Sequence, residues 1–218
     1  NVTGSVKRKE RFRTYIKVPE LAMFLREITD YRTADMINLD VPEKNVRFLS
    51  YPPTIEQEEM IGRLVSFAGS GQWEDLGLDV PQPDNLDKAK MLVVTNVARK
   101  MALDMRLLGC KFKDDADNKA SICARTIYDY YIRSNDNRGT QFVFSDLGTY
   151  KPNEWNIYTD IKEKLVRLGI PADEIQFIQC ATTERTRKKL FEEMNNGKVR
   201  VLFGSTTMLG TGVNAQQR

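Results

Sequence analysis

Through the first 135 residues the apolar positions recur every three or four residues. After that they gather into short runs separated by helical stretches. The first period marks helices; short apolar runs bounded by turn residues mark buried strands. Residues 19–30 predict a helix. Pro19 suits its first turn, and Leu21, Phe24, Leu25 and Ile28 share a face. Val41-Pro42 breaks the pattern, and the alternation over 45–51 predicts a strand. Residues 54–68 predict a helix with Thr54 as cap, Gln57 three positions on as in a capping box, and Met60, Ile61, Leu64, Val65 and Phe67 as its apolar set. Residues 69–87 form a loop rich in Gly, Pro, Asp and Asn. Helical spacing then returns over 86–108 and 119–133, the latter through Ile122, Ile127, Tyr130 and Tyr131.

Past the turn-rich stretch 135–139 the texture changes. Residues 140–145, 174–179 and 199–203 read as strands. Between them lie helices over 154–168, with Trp155, Tyr158, Ile161, Leu165 and Leu168 on one face, and over 183–196, through Leu190, Phe191 and Met194. Gly169 and Gly197 close these helices. Strand–helix–strand–helix–strand is the pattern of a doubly wound parallel α/β sheet. The expected fold class is therefore α/β, with a preceding mostly helical segment. The expected segments are 1–68, 69–135 and 136–218.

Composition narrows the chemistry. Of 218 residues, 41% are apolar and 29% charged, enough for a core and a hydrated surface. No apolar run approaches the roughly 18 residues of a membrane span, and no signal-peptide pattern opens the chain. Three cysteines, without a C-x-x-C, fit a reduced, cytoplasmic setting. Histidine is absent, which excludes Ser-His-Asp triads and His-based zinc sites. The net charge of +3 matters only where cations cluster, as at Lys7–Arg13 and at Arg185, Arg187, Lys188 and Lys189.

The candidate chemistry sits after the last strand. Val201, Leu202 and Phe203 run into Ser205, Thr206 and Thr207, and then into Gly210-Thr211-Gly212-Val213-Asn214. Hydroxyls and glycines at the carboxyl end of a strand expose backbone N–H groups where α/β sheets bind phosphates. This segment resembles motif V of superfamily 2 helicases and translocases, in the Swi/Snf-like form. Gln141–Asp146 occupies the place of motif IV. Thr182-Thr183-Glu184-Arg185, followed by Leu190-Phe191 and Asn195, is similar to the block between them. Upstream, Tyr31–Asp35 with Leu39, Val41, Pro42 and Lys44 resembles a stretch late in the first lobe of that family. In wording, Val18–Leu21 and Ser205–Asn214 are similar to helicases fused to adenine-specific DNA methyltransferases on phages and conjugative elements.

The resemblance implies a second RecA-like lobe over 136–218, a three-layer α/β/α parallel sheet, preceded by the end of the first lobe and an inter-lobe helical region. It implies that Ser205, Thr206, Thr207, Thr183 and Arg185 meet DNA phosphates. It also implies that Gly210, Gly212 and Asn214 face a nucleotide; Asn214 stands where many relatives carry Asp. ATP and Mg²⁺ would be shared with the first lobe of the same full-length protein. The sequence has no G-x-x-x-x-G-K-[S/T] and no Walker-B-like Asp-Glu pair after a strand, and the family's arginine-finger motif is expected beyond Arg218. The expectation is thus no catalytic residue or metal ligand in this chain, and no ATP hydrolysis by it alone. The alternative is a non-catalytic nucleic-acid or protein binding module. A Rossmann reading of Gly210–Ala215 fails, because the glycines fall well after the strand rather than in its first βα turn.

Overall fold

The computed structural model describes residues 16–37, 43–79, 81–210, 213 and 215. It separates into two units, Thr3–Tyr51 and Pro52–Arg218.

In the first unit, α1 (Val18–Ile28) forms as expected, with proline at its start. No residue of α1 is buried; Leu21, Phe24, Leu25 and Ile28 are all exposed. A short α2 (Ala34–Ile37) follows. The strand expected over 45–51 does not form: these residues carry no regular structure. A single alternating segment becomes a strand only when a partner takes up its backbone hydrogen bonds, and none is present among the described residues. The basic run at 7–13, and Leu39, Val41 and Pro42, lie outside the described residues.

The second unit opens with α3 (Ile55–Ser70). Its N-terminus is the expected capping box: the Gln57 N–H donates to Thr54 Oγ1 at 3.4 Å, and the Thr54 N–H donates to Gln57 Oε1 at 2.9 Å. Met60, Leu64 and Phe67 pack on Val97 and Met101 of α4 (Leu86–Leu103), with Leu76 and Leu78 completing this helical core. Ile61 and Val65 stay exposed, because only one face of α3 meets α4. The Gln57 amide, already in the cap, also donates to Met101 O at 2.7 Å and so fixes the pairing of the two helices.

α4 stops short of the expected 108. Asp104 turns extended and accepts the Arg106 N–H at 2.9 Å, which starts a separate 3-10 turn, Met105–Leu108. The side chain competes with the helix for that N–H, a common role for aspartate at helix ends.

The α/β part is built from α5 (Lys119–Arg133), β1 (Gln141–Phe144), α6 (Ile157–Arg167), β2 (Ile175–Phe177), α7 (Glu184–Asn195), β3 (Val201–Gly204) and α8 (Thr206–Leu209). The three strands are parallel in the order β1-β3-β2. Gln141 and Ile175 both pair with Val201, so β1 and β2 meet β3 at the same level. Alternation across the pleat divides the core. Val201 and Phe203, with Ile175 and Phe177, pack against α5 and α6. Leu202 packs against Leu190 and Met194 of α7 and Leu209 of α8. Helices therefore cover both faces, and β3, flanked on each edge as well, is buried at every position.

α6 begins at Ile157, where Asn156 caps it by accepting the Thr159 N–H at 2.9 Å. Trp155 falls before the helix and Leu168 after it. Both are exposed rather than core, as is Tyr130, whereas Tyr131 and Tyr158 are buried. β2 is also shorter than expected, because Ile178–Cys180 close into a 3-10 turn.

A charged joint ties the 3-10 turn at 105–108 to α5 and α6. The Arg106 guanidinium donates to Asp104 Oδ1 at 3.0 Å and Oδ2 at 2.7 Å, and forks onto both oxygens of Asp160 at 2.8 Å. Lys164 donates to Asp160 at 2.8 Å and to Asp114 at 2.7 Å. Asn118, the cap of α5, donates to Asp104 at 2.9 Å, and Trp155 lies under the Arg106 guanidinium at 4.7 Å. Burial pushes the Asp160 carboxyl upward, but the hydrogen bonds and charges of Arg106 and Lys164 outweigh it and hold the group below the usual carboxylate range.

Candidate nucleic-acid interface at the strand exits

Parallel pairing brings the carboxyl ends of all three strands to one edge of the sheet, and the sequence-selected residues leave from that edge. Beyond β1 the chain turns through Ser145–Gly148. The Ser145 N–H donates to Gly204 O at 3.2 Å, and Tyr158 Oη of α6 donates to Ser145 O at 2.7 Å. Burial raises the Tyr158 phenol above its ordinary value, so it stays a protonated donor at neutral pH.

Gly148 has φ 61°, and an added Cβ would run into the side chain of Ile157. Gly148→Ala is expected to destabilise the chain by about 1–3 kcal/mol, from backbone strain and crowding together. Gly62→Ala, inside α3 with nothing within 4 Å of a new Cβ, is expected to stabilise by about 0.5–1 kcal/mol. Urea midpoints of the two variants measured side by side check this. Shifts of the same sign would refute the turn geometry.

Beyond β3, Gly204 is hemmed in by Leu209 and by Ile178 at the β2 exit, and α8 begins at Thr206. Ser205 precedes α8 without capping it through its side chain. The cap comes from across the sheet edge. Asp146 Oδ1 accepts the Thr206 N–H at 2.8 Å, and Asp146 Oδ2 accepts the Thr206 hydroxyl at 3.0 Å. Asp146 and Thr206 are both exposed. Both hydrogen-bond donors of Thr206 are thus taken by a carboxylate. The hydroxyls of Ser205 and Thr207 have no hydrogen-bond partner among the described residues. Gly210 has a helical φ of −74° and donates its N–H to Thr206 O at 2.8 Å. It serves close packing against that carbonyl rather than a left-handed turn. Gly212 and Asn214 lie outside the described residues.

Beyond β2, Thr183 caps α7. Its hydroxyl accepts the Thr186 N–H at 3.2 Å, and Thr186 Oγ1 accepts the Thr183 N–H at 3.0 Å. Arg187 is turned back onto Ala181 O at 3.1 Å. Arg185 and Lys188 are exposed at the start of α7, where the helix dipole adds positive potential. Thr183 and Arg185 therefore share the sheet edge with Ser205–Thr207, but no direct contact joins the two groups among the described residues.

The Asp146–Thr206 contact was hidden in the sequence, because the two residues lie 60 positions apart. The signal was topological: two strands that pair directly bring their exits together. The close group of carboxylates Asp104, Asp114 and Asp160 has its oxygens turned to Arg106 and Lys164, an arrangement that suits an ion-pair joint and not a metal centre. Burial pushes the Cys123 thiol up to about 11, so it is no nucleophile at neutral pH. No helix among the described residues is long and apolar enough to cross a membrane.

A family model described as a probable helicase domain matches residues 1–33. This links the chain to helicases over that stretch. No curated protein and no solved structure matches.

Proposed function

We propose that this chain is part of an ATP-dependent DNA helicase or translocase of superfamily 2, in its Swi/Snf-like branch, with residues 136–218 as the second RecA-like lobe. The observation that carries the reading is the gathering, at the carboxyl edge of one parallel sheet, of the hydroxyl segment Ser205–Thr207 and the basic start of α7 at Arg185. The helicase match over residues 1–33 supports it independently. Hydroxyls, backbone N–H groups and an arginine at such an edge hold phosphates without reading bases, which is what a motor stepping along DNA requires.

In this reading Thr183 and Arg185 flank one phosphate and Ser205, Thr206 and Thr207 the next, while Gly210, Gly212 and Asn214 face the nucleotide side. When bound, ATP with Mg²⁺ would supply the free energy for stepping. The first RecA-like lobe would hold the triphosphate, since this sequence has no P-loop. The helicase–methyltransferase fusions of mobile elements are the proposed setting.

Fluorescence anisotropy with a labelled DNA oligonucleotide tests the site. Arg185→Ala is expected to weaken binding about threefold or more and to lower the salt slope by about one, and Thr206→Ala to weaken binding with the slope unchanged. Binding that is undetectable, or indifferent to salt, would sink the assignment.

A further inference from the structure

We infer that Asp146 is a built-in competitor for phosphate at Thr206, so that nucleic acid enters this site by displacing a carboxylate. The inference rests on the phosphate-site reading above and adds to it a regulating contact.

The geometry is that of an anion already seated. A carboxylate and a phosphate both present paired acceptor oxygens, and Asp146 places one on the Thr206 N–H at 2.8 Å and the other on its hydroxyl at 3.0 Å. Thr206 has no other donor to offer. A phosphate oxygen, which can only accept, therefore cannot bond to Thr206 until Asp146 lets go. The neighbouring donors are differently placed: the Ser205 and Thr207 hydroxyls have no partner among the described residues and can meet an incoming phosphate first.

Displacement is also mechanically feasible. Asp146 is exposed, so its carboxylate can exchange Thr206 for water at small cost. Its backbone is fixed meanwhile by Ser145, which is held by Gly204 O and by the Tyr158 hydroxyl. Release needs a side-chain rotation and not a loop movement. Until it occurs, the negative charge opposes an arriving phosphate. The contact thus raises the threshold for binding, and only a phosphate positioned by Ser205 and Thr207 competes well.

The test measures affinity for a labelled single-stranded oligonucleotide on the full chain, in the wild type, Asp146→Asn, Thr206→Val and the double variant. Asparagine keeps the shape of the contact and removes its charge. The expected result is binding about threefold to tenfold tighter for Asp146→Asn, with the hydroxyl's share of that gain lost in the Thr206→Val background, where only the backbone N–H remains to compete for. Asp146→Ala, measured with its unfolding midpoint, should gain at least as much as Asp146→Asn.

An unchanged or weaker affinity for Asp146→Asn, beside salt-dependent wild-type binding, would overturn the competitor and leave the phosphate site standing. A gain of equal size in the Thr206→Val background would also overturn it, by showing simple loss of negative charge. No binding by any variant, Asp146→Ala included, would overturn the competitor and the phosphate site together.

Discussion

Arg106→Met is expected to destabilise the chain by about 3–5 kcal/mol at neutral pH, the range for removing one partner of a buried ionic cluster. Asp104 is fully buried and Asp160 nearly so, and Arg106 supplies hydrogen bonds to all four of their oxygens. Methionine fills the space but leaves Asp104 with only the Asn118 amide and the Arg106 backbone N–H, and Asp160 with only Lys164. The effect carries a pH signature. Asp160 is held below the usual carboxylate range, so its pairing stabilises the fold above its unfolded value of about 4 and is lost as pH falls through the lower folded value. In the variant, acid instead neutralises an Asp160 carboxylate that has lost its arginine. The gap between wild type and variant should therefore be widest near pH 7 and should narrow at about pH 3. Urea unfolding followed by circular dichroism at both pH values decides the matter, and a gap that stays constant would refute the ionic account.

Arg200→Met is expected to cost about 3 kcal/mol, and Arg200→Lys most of that, because only a guanidinium reaches every partner. Arg200 is fully buried and makes no ion pair with a carboxylate among the described residues. It donates to Tyr131 O at 2.8 Å, Asn135 Oδ1 at 3.0 Å, Gly139 O at 3.2 Å and Ser134 Oγ at 3.3 Å, and it stacks on the Tyr131 ring at 3.7 Å. These groups form the end of α5 and the turn into β1. The cation thus answers the negative end of the α5 dipole and fastens that helix to the sheet. Thermal or urea midpoints check the loss; a lysine variant as stable as the wild type would show that the fork of hydrogen bonds carries little.

These two residues also show what the sequence makes legible. Capping signals are local, and the helix they marked formed where expected: Thr54 and Gln57 set the start of α3. Hydrophobic period placed all three strands of the sheet, and with them the edge that collects Thr183, Arg185 and Ser205–Thr207. It failed at 45–51, where alternation alone had no partner strand to pair with among the described residues. It also passed over Arg200, a charge just before the most apolar strand, because the carbonyls that satisfy it lie some 60–70 positions earlier. The Asp104–Arg106–Asp160 joint and the Asp146–Thr206 contact were invisible for the same reason. Each depends on elements far apart in sequence, and neither alters the apolar period of its own segment.

The strand order has a consequence for how the chain acquires its shape. Among the described residues β1 and β2 do not pair with each other; each pairs with β3, the last of the three in chain order. A growing chain can form its helices early, but its sheet must wait for Val201–Gly204 to arrive and recruit two earlier segments at once. Until then the apolar residues of β1 and β2 have no strand to join among the described residues, and that interval during synthesis leaves them open to misassembly.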